Sequence, residues 1–188
     1  MIASDKCLEL LARHRGDAVV VTTMATAIPW QRISNTALDI PSVGSAMGHA
    51  ADFALGIALA RPDRAVWCFN GDGSMLMTLQ TLVTIQRSPA ANYRLFVFQN
   101  DEYEVTGNQP TPGAGLISYP DTARAAGFTA VYDFDALEAL EAGLPDVLSD
   151  TGPVFVNLRI APGNEPAPGR IRPLAVDIQE LRGALGVS

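Results

Sequence analysis

The segment Asn70-Gly71-Asp72-Gly73-Ser74 places a carboxylate between two glycines, where an apolar run meets a helical pattern. Glycine on both sides of Asp72 permits unusual backbone angles and lets the main chain approach a ligand closely. The first N–H groups of the following helix have no partners within it and could bind a phosphate. Because Asp72 would repel a phosphate, the segment predicts a bridging cation, and Mg²⁺ with its oxygen ligands suits this role.

A second polar segment, residues 99–103 (QNDEY), follows the next apolar run. Asn100 lies 28 positions after Asp72, and one predicted helix and one predicted strand fill the interval. Parallel strands joined by a helix have their carboxyl ends at the same edge of a sheet. We therefore expect Asp72 and Asn100 to converge there and, with nearby backbone carbonyls, to form a Mg²⁺ shell.

Strand-like and helix-like patterns alternate along the whole chain. Strands are predicted at residues 18–22, 64–70, 93–99, 130–132 and 153–160, and helices at 4–15, 46–60, 74–87, 120–126, 137–148 and 176–185. This alternation predicts an α/β fold: a three-layer, doubly wound parallel sheet with helices on both faces. We predict one domain over residues 1–160, followed by a C-terminal arm and helix over residues 161–188.

Three local patterns carry specific expectations. The segment 46–60 is apolar on nearly all sides and predicts a buried helix whose small residues allow a close backbone approach. Residues 23–35 contain Pro29 as a breaker and are predicted to be irregular. Residues 100–118 hold several glycines and prolines and are predicted to form a long loop near the site.

Composition excludes several classes of function. The 188 residues carry a formal net charge of −7 and no lysine- or arginine-rich run, so nucleic acid and anionic membranes are poor partners. No apolar run reaches the length of a membrane span, and the first residues lack the order of a signal peptide, so we expect a cytoplasmic protein. Cys7 and Cys68 are predicted to be buried free thiols rather than a disulfide or a metal site.

The two polar segments resemble the cofactor motif of the thiamine-diphosphate-dependent enzymes. In that family the aspartate, the asparagine and a backbone carbonyl two residues later bind the metal. The resemblance implies Asp72, Asn100 and the carbonyl of Glu102 as metal ligands, with Gly73 and Ser74 meeting the diphosphate. Many members have two asparagines at positions 99 and 100 of this chain, and the second of them is the ligand.

A second resemblance concerns Ser45-Ala46-Met47-Gly48, which is similar to the segment that props thiamine diphosphate into its bent form. It implies Met47 as an apolar wedge under the cofactor, with a simple core residue as the alternative. It also implies that the carbonyl of Ser45 accepts from the aminopyrimidine, although the family often has glycine there. His49 could face the substrate or only hydrogen-bond locally.

Gly71 and Tyr103 complete the predicted cofactor-binding set. Tyr103, Thr106 and Gln109 could line the pocket or belong to a flexible loop. Within the family, about residues 15–160 resemble the small (beta) subunit of sulfopyruvate decarboxylase and the corresponding half of phosphonopyruvate decarboxylase. This resemblance implies a 2-oxo acid decarboxylase subunit. A carboligase subunit, a 2-oxo acid oxidoreductase subunit and a non-catalytic thiamine-diphosphate-binding subunit are the alternatives.

The family also needs a catalytic glutamate, which lies on a separate pyrimidine-binding domain. This chain has no credible substitute, so the resemblance implies no catalytic residue here and a partner chain in an α₂β₂ heterotetramer. No lysine or arginine occurs between Arg94 and Arg124, and Arg170 and Arg172 are expected on a surface arm. A distal anion on the substrate would therefore be bound by the partner.

Overall fold

Six parallel strands form the centre of the molecule. A computed structural model describes residues 1–41, 47–163 and 173–187. The strands are β1 (Val19–Thr22), β2 (Asp39–Ile40), β3 (Val66–Gly71), β4 (Tyr93–Gln99), β7 (Ala130–Phe134) and β8 (Val154–Arg159), and their order across the sheet is β2-β1-β3-β4-β8-β7. Between β4 and β7, the short strands β5 (Glu102–Tyr103) and β6 (Gln109–Pro110) pair as a separate antiparallel ribbon.

Helices cover both faces of the sheet, as predicted. They are α1 (Ser4–His14), α2 (Ala27–Ile33), α3 (Ala50–Ala60), α4 (Asp72–Met77), α5 (Thr81–Arg87), α6 (Tyr119–Ala125), α7 (Leu137–Ser149) and α8 (Leu174–Ala184). One apolar cluster contains buried residues of α3 to α6 and of α8, and the other contains those of α1, α2 and α7. Neighbouring strand residues alternate between the two clusters, since successive side chains of a strand point to opposite faces.

The prediction that residues 23–35 are irregular was wrong. A 3₁₀ turn (Met24–Thr26) leads directly into α2, whose buried Trp30 packs against the ring of Phe69 with 5.0 Å between the ring centroids. Pro29 is the third residue of α2, where a backbone N–H has no acceptor within the helix. A proline in the first turn therefore does not break the helix.

The predicted single helix over residues 74–87 is divided into α4 and α5. Helix α4 begins at Asp72 and ends at Met77, and α5 begins at Thr81. The buried Thr78 between them donates its hydroxyl to the carbonyl of Gly48, 2.6 Å away. Because Gly48 is distant in the sequence, the helical periodicity of residues 74–87 could not predict this contact or the break between α4 and α5.

Helix α3 is less buried than its composition predicts. It begins at Ala50, and Ala51, Ala54 and Ala58 are buried against the sheet. Gly56, Leu59 and Ala60 lie on the opposite face and are exposed. The described part of this chain therefore covers only one side of the apolar helix α3. None of the described helices is long and apolar enough to cross a membrane.

A buried ion pair fixes the far edge of the sheet. Asp39 of β2 is 2% exposed, and its carboxylate accepts from Arg15 at 2.8 Å and from the indole N–H of Trp30 at 2.9 Å. Its second oxygen accepts from the hydroxyl of Ser34 and from the backbone N–H of Thr36.

The two cysteines are buried free thiols, as predicted, and burial raises the pKa of each to about 12.

Candidate functional site

The carboxyl ends of β1, β3 and β4 surround one cavity, which we call the strand-end cavity. Its walls come mainly from residues 23–26 after β1, 71–74 at the end of β3, and 100 and 102–106 after β4, with Met47 completing the rim. The strand order reverses direction between β1 and β3, because β2 lies on one side of β1 and β3 on the other. Ligands of open α/β sheets bind at such a reversal.

Asp72 is a buried carboxylate among the residues that line this cavity. It is 2% exposed, and its two carboxylate oxygens accept backbone N–H groups from Gly73 at 2.8 Å and from Asp101 at 2.7 Å. Burial raises the pKa of the Asp72 carboxyl to about 6, while hydrogen bonds from these backbone N–H groups lower it in part. An ionised carboxylate has about four lone-pair positions, so each oxygen keeps capacity for a further ligand.

Asn100 and Glu102 approach Asp72 from the end of β4. The pairing of Gly71 with Phe98 brings the two strand ends level, and Asp101 bridges them through its N–H. Asp101 adopts a left-handed backbone conformation (φ 62°), which turns the chain so that Asn100 and Glu102 both line the cavity. The predicted convergence of Asp72 and Asn100 is therefore present in the structure.

Asn100 is held by two contacts of its side-chain amide. The amide oxygen accepts the backbone N–H of Glu102 at 3.0 Å, and the amide nitrogen donates to the Glu104 carboxylate at 2.8 Å. The Glu104 contact was not predicted from the sequence.

Gly71 and Gly73 both line the cavity, and the missing side chain has a different consequence at each position. A Cβ on Gly73 would lie 2.6 Å from the ring of Tyr103, so glycine is needed there for close packing. A Cβ on Gly71 would meet no heavy atom within 4 Å, and the backbone of Gly71 is ordinary extended chain (φ −83°, ψ 153°). Neither packing nor backbone geometry requires glycine at position 71, and its absent side chain leaves space in the cavity.

The segment before α3 borders the cavity from another side. Met47 lines it, and the N–H of Gly48 donates to the hydroxyl of buried Ser74 at 2.8 Å. The Ser74 hydroxyl can still donate its own proton to a ligand. Ser45 lies outside the described residues, as do Arg170 and Arg172.

Residues 23–26 form a wall that the sequence interpretation missed. Met24 has a left-handed backbone (φ 52°), and the side-chain hydroxyl of Thr23 is buried with no hydrogen-bond partner among the described residues. Two adjacent threonines, Thr22 at the end of the buried strand and Thr23 directly after it, were the available signal. That signal becomes informative only once β1 is known to pair with β3.

Other predicted positions lie at or beyond the rim. Thr106 lines the cavity, whereas Gln109 is exposed and hydrogen-bonds Thr106. His49 is exposed, pairs with Asp52 at 3.0 Å and is not among the lining residues.

The charge of the cavity favours a cation. Asp72, Glu102 and Glu104 are among its lining residues, while none of the described lining residues is lysine, arginine or histidine. The described residues contain no cluster of three histidine, cysteine, aspartate or glutamate side chains able to hold a metal. The available donors are one buried carboxylate, an amide oxygen and backbone carbonyls, and hard oxygen ligands of this kind suit Mg²⁺ rather than a thiophilic metal.

Comparison with known proteins identifies the family. A sequence model of the thiamine pyrophosphate enzymes, C-terminal TPP-binding domain, matches residues 17–158. The chain belongs to this family. The matched residues include the strand ends and the segments 71–74 and 100–106 that surround the strand-end cavity. Thiamine pyrophosphate is also called thiamine diphosphate, and the family assignment makes this domain a thiamine-diphosphate-binding one.

Two curated relatives have similar sequences. Phosphonopyruvate decarboxylase of Streptomyces hygroscopicus is 35% identical over 153 residues, which are 81% of this chain and 37% of that protein. Sulfopyruvate decarboxylase subunit beta of Methanothermobacter thermautotrophicus is 35% identical over 122 residues, which are 65% of this chain and 62% of that subunit. The matched stretch therefore covers less than two thirds of either relative's own length.

A solved structure has the same fold. It is an X-ray structure of a Mycobacterium smegmatis protein assigned to the thiamin diphosphate-dependent enzymes. The TM-score is 0.73 at 23% sequence identity, and the match covers 86% of this chain and 32% of that one. The predicted doubly wound α/β fold is thus confirmed.

Proposed function

We propose that this chain is the thiamine-diphosphate- and Mg²⁺-binding subunit of a two-subunit 2-oxo acid decarboxylase. The observation that carries the proposal is the meeting of Asp72 and Asn100 at neighbouring strand ends, around one acidic cavity in a thiamine-diphosphate-binding domain. The similarity to two decarboxylases supports decarboxylation over carboligation. Both cysteines are buried free thiols, which gives no support to an oxidoreductase subunit with an iron–sulfur cluster.

In this proposal Asp72, Asn100 and the carbonyl of Glu102 hold Mg²⁺. A Mg²⁺ ion held there would neutralise the buried Asp72 carboxylate and so allow a diphosphate to bind in a cavity whose acidic lining would otherwise repel it. Gly73 and Ser74 then lie beside the diphosphate.

Met47 and Tyr103, which both line the cavity, are proposed to supply apolar contacts to the cofactor. The carbonyl of Ser45 is proposed as an acceptor for the aminopyrimidine. When bound, thiamine diphosphate supplies the nucleophilic carbon and the electron sink for loss of CO₂ from a 2-oxo acid. The chain itself anchors the metal, orients the cofactor and leaves room for it beside Gly71.

A partner chain is part of the proposal. One relative is named as a beta subunit. The matched residues make up 65% of this chain and 62% of that subunit, so the two chains are of similar length. We propose that a pyrimidine-binding subunit contributes the catalytic glutamate and completes an α₂β₂ assembly. Because no described lining residue is cationic, the partner would also bind a sulfonate or phosphonate group on the substrate.

Co-expression with the pyrimidine-domain protein encoded nearest to this chain tests the proposal. The co-purified complex should release CO₂ from sulfopyruvate, phosphonopyruvate or a related 2-oxo acid only when thiamine diphosphate and Mg²⁺ are present. Each chain alone should be inactive. If the complex formed acetolactate-type ligation products and released no aldehyde, it would be a carboligase instead. Full activity of this chain without a partner would contradict the two-subunit proposal.

Replacing Gly71 by leucine should weaken cofactor binding without weakening the fold. The backbone at this position suits any residue, a Cβ there would meet no heavy atom within 4 Å, and Gly71 lines the cavity. We expect affinity for thiamine diphosphate to fall at least about tenfold, or ~1.4 kcal/mol, through steric exclusion. Calorimetric titration measures the affinity, and thermal unfolding checks the fold.

The matched control for Gly71 is Gly183→Leu on α8. A Cβ there also meets nothing within 4 Å, and Gly183 does not line the strand-end cavity. Its cofactor affinity should equal that of the parent chain. Unchanged affinity in Gly71→Leu would mean that the cofactor lies elsewhere.

A further inference from the structure

The amide of Asn100 can bind a metal through only one of its two ends. Its oxygen is an acceptor, whereas its nitrogen is a donor that would repel a cation. The two ends have nearly the same shape, so hydrogen-bond partners decide which end faces the cavity. Among the described residues, the amide oxygen is paired with the N–H of Glu102 and the amide nitrogen with the carboxylate of Glu104.

Glu104 discriminates between the two orientations. An ionised carboxylate only accepts hydrogen bonds, so it pairs with the amide nitrogen and would oppose the amide oxygen. The 2.8 Å contact from Asn100 Nδ2 to Glu104 Oε2 therefore leaves the amide oxygen directed at Glu102 N. A carbonyl oxygen has two lone pairs, so this oxygen can still accept a metal after binding that N–H.

We propose that Glu104 is a positioning residue that sets the orientation of the Asn100 amide, so that its oxygen faces the metal. The proposal rests on the Mg²⁺ site of the proposed function. Glu104 acts through Asn100 and is not itself a ligand. Partners of this kind commonly determine the geometry and affinity of a metal site.

The position of Glu104 is itself fixed by the fold. Glu104 begins a 3₁₀ turn (Glu104–Thr106) directly after β5. Its carboxylate packs against the backbone of Gly163, where an added Cβ would overlap it. Asn108 donates from its side chain to the carbonyl of Gly163 at 3.0 Å and so ties this backbone to the same loop. The carboxylate therefore cannot move freely away from Asn100.

Calorimetric titration of Mg²⁺ at saturating thiamine diphosphate, on the chain together with its partner, tests this role. Glu104→Ala should weaken Mg²⁺ affinity about 10- to 100-fold, the usual effect of removing the partner of a metal ligand. Glu104→Gln should lose less affinity than Glu104→Ala, because its amide oxygen can still accept from Asn100, but it should not match the parent chain, because its amide nitrogen can equally donate to a flipped Asn100 amide. Glu138→Ala, which removes an exposed carboxylate on α7, is the control and should match the parent chain.

The double variant with Asn100→Ala separates positioning from direct action. If Glu104 acts through Asn100, the double variant should bind Mg²⁺ no more weakly than Asn100→Ala alone. Additive losses in the double variant would overturn the proposal, and so would a parent-like Mg²⁺ affinity in Glu104→Ala. If the parent chain itself shows no Mg²⁺-dependent binding, the proposed function fails, which is a different result from either of these.

Discussion

Replacement of Asp72 by alanine should abolish Mg²⁺-dependent binding of thiamine diphosphate. Asp72 is a buried residue of the cavity lining, and in the proposed site it is the only charged metal ligand. Loss of an outer partner of a metal ligand already costs 10–100-fold in affinity, so loss of the ligand itself should cost more than about 100-fold. Calorimetric titration with and without Mg²⁺ measures the effect, on this chain alone and with its partner.

Asp72→Asn separates charge from shape. The amide has nearly the same size, but it removes the negative charge and can no longer accept from both Gly73 and Asp101. We expect it to bind Mg²⁺ almost as weakly as the alanine variant. Asp135→Ala, which removes an exposed aspartate before α7, should bind like the parent chain. If both Asp72 variants still bound thiamine diphosphate in a Mg²⁺-dependent way, Asp72 would not be a metal ligand.

The sequence predicted the fold because its strands and helices follow short-range rules. The strand over residues 93–99 has the predicted bounds, and the neighbouring strand that ends at Gly71 differs from its prediction by one or two residues at each end. Parallel pairing of these two strands then makes Asp72 and Asn100 neighbours. Half of the cavity was therefore predictable from one βαβ unit. The division of the chain at residue 160 stays a prediction.

The rest of the site depends on contacts between distant segments. Residues 23–26 reach the cavity because β1 pairs with β3, and no local pattern encodes that pairing. The break after α4 follows from the bond between Thr78 and Gly48, which are 30 positions apart. The left-handed backbone of Asp101 is uncommon for a residue other than glycine, so a sequence of ordinary residues gives no sign of it.

The second large effect concerns stability. Asp39→Ala should lower the free energy of unfolding by about 3–5 kcal/mol, which is typical when one member of a buried ion pair is removed. The Arg15 side chain would keep its charge in a site where it is only 8% exposed, and the indole N–H of Trp30 would lose its acceptor. Because Asp39 also accepts from Ser34 and Thr36, the turn into β2 would loosen as well. Urea unfolding followed by circular dichroism measures the change.

Asp17→Ala provides the comparison for this prediction. Asp17 also pairs with an arginine, Arg64, at 2.8 Å, but its side chain is 82% exposed. Exposed pairs of this kind contribute about 0–1 kcal/mol, since water already solvates both charges. If the two variants lost similar stability, burial could not be the reason for the effect at Asp39. A large loss only in Asp39→Ala would identify the Arg15–Asp39 pair as the anchor of β2, the strand that directly precedes the segment leading to Met47 and the cavity.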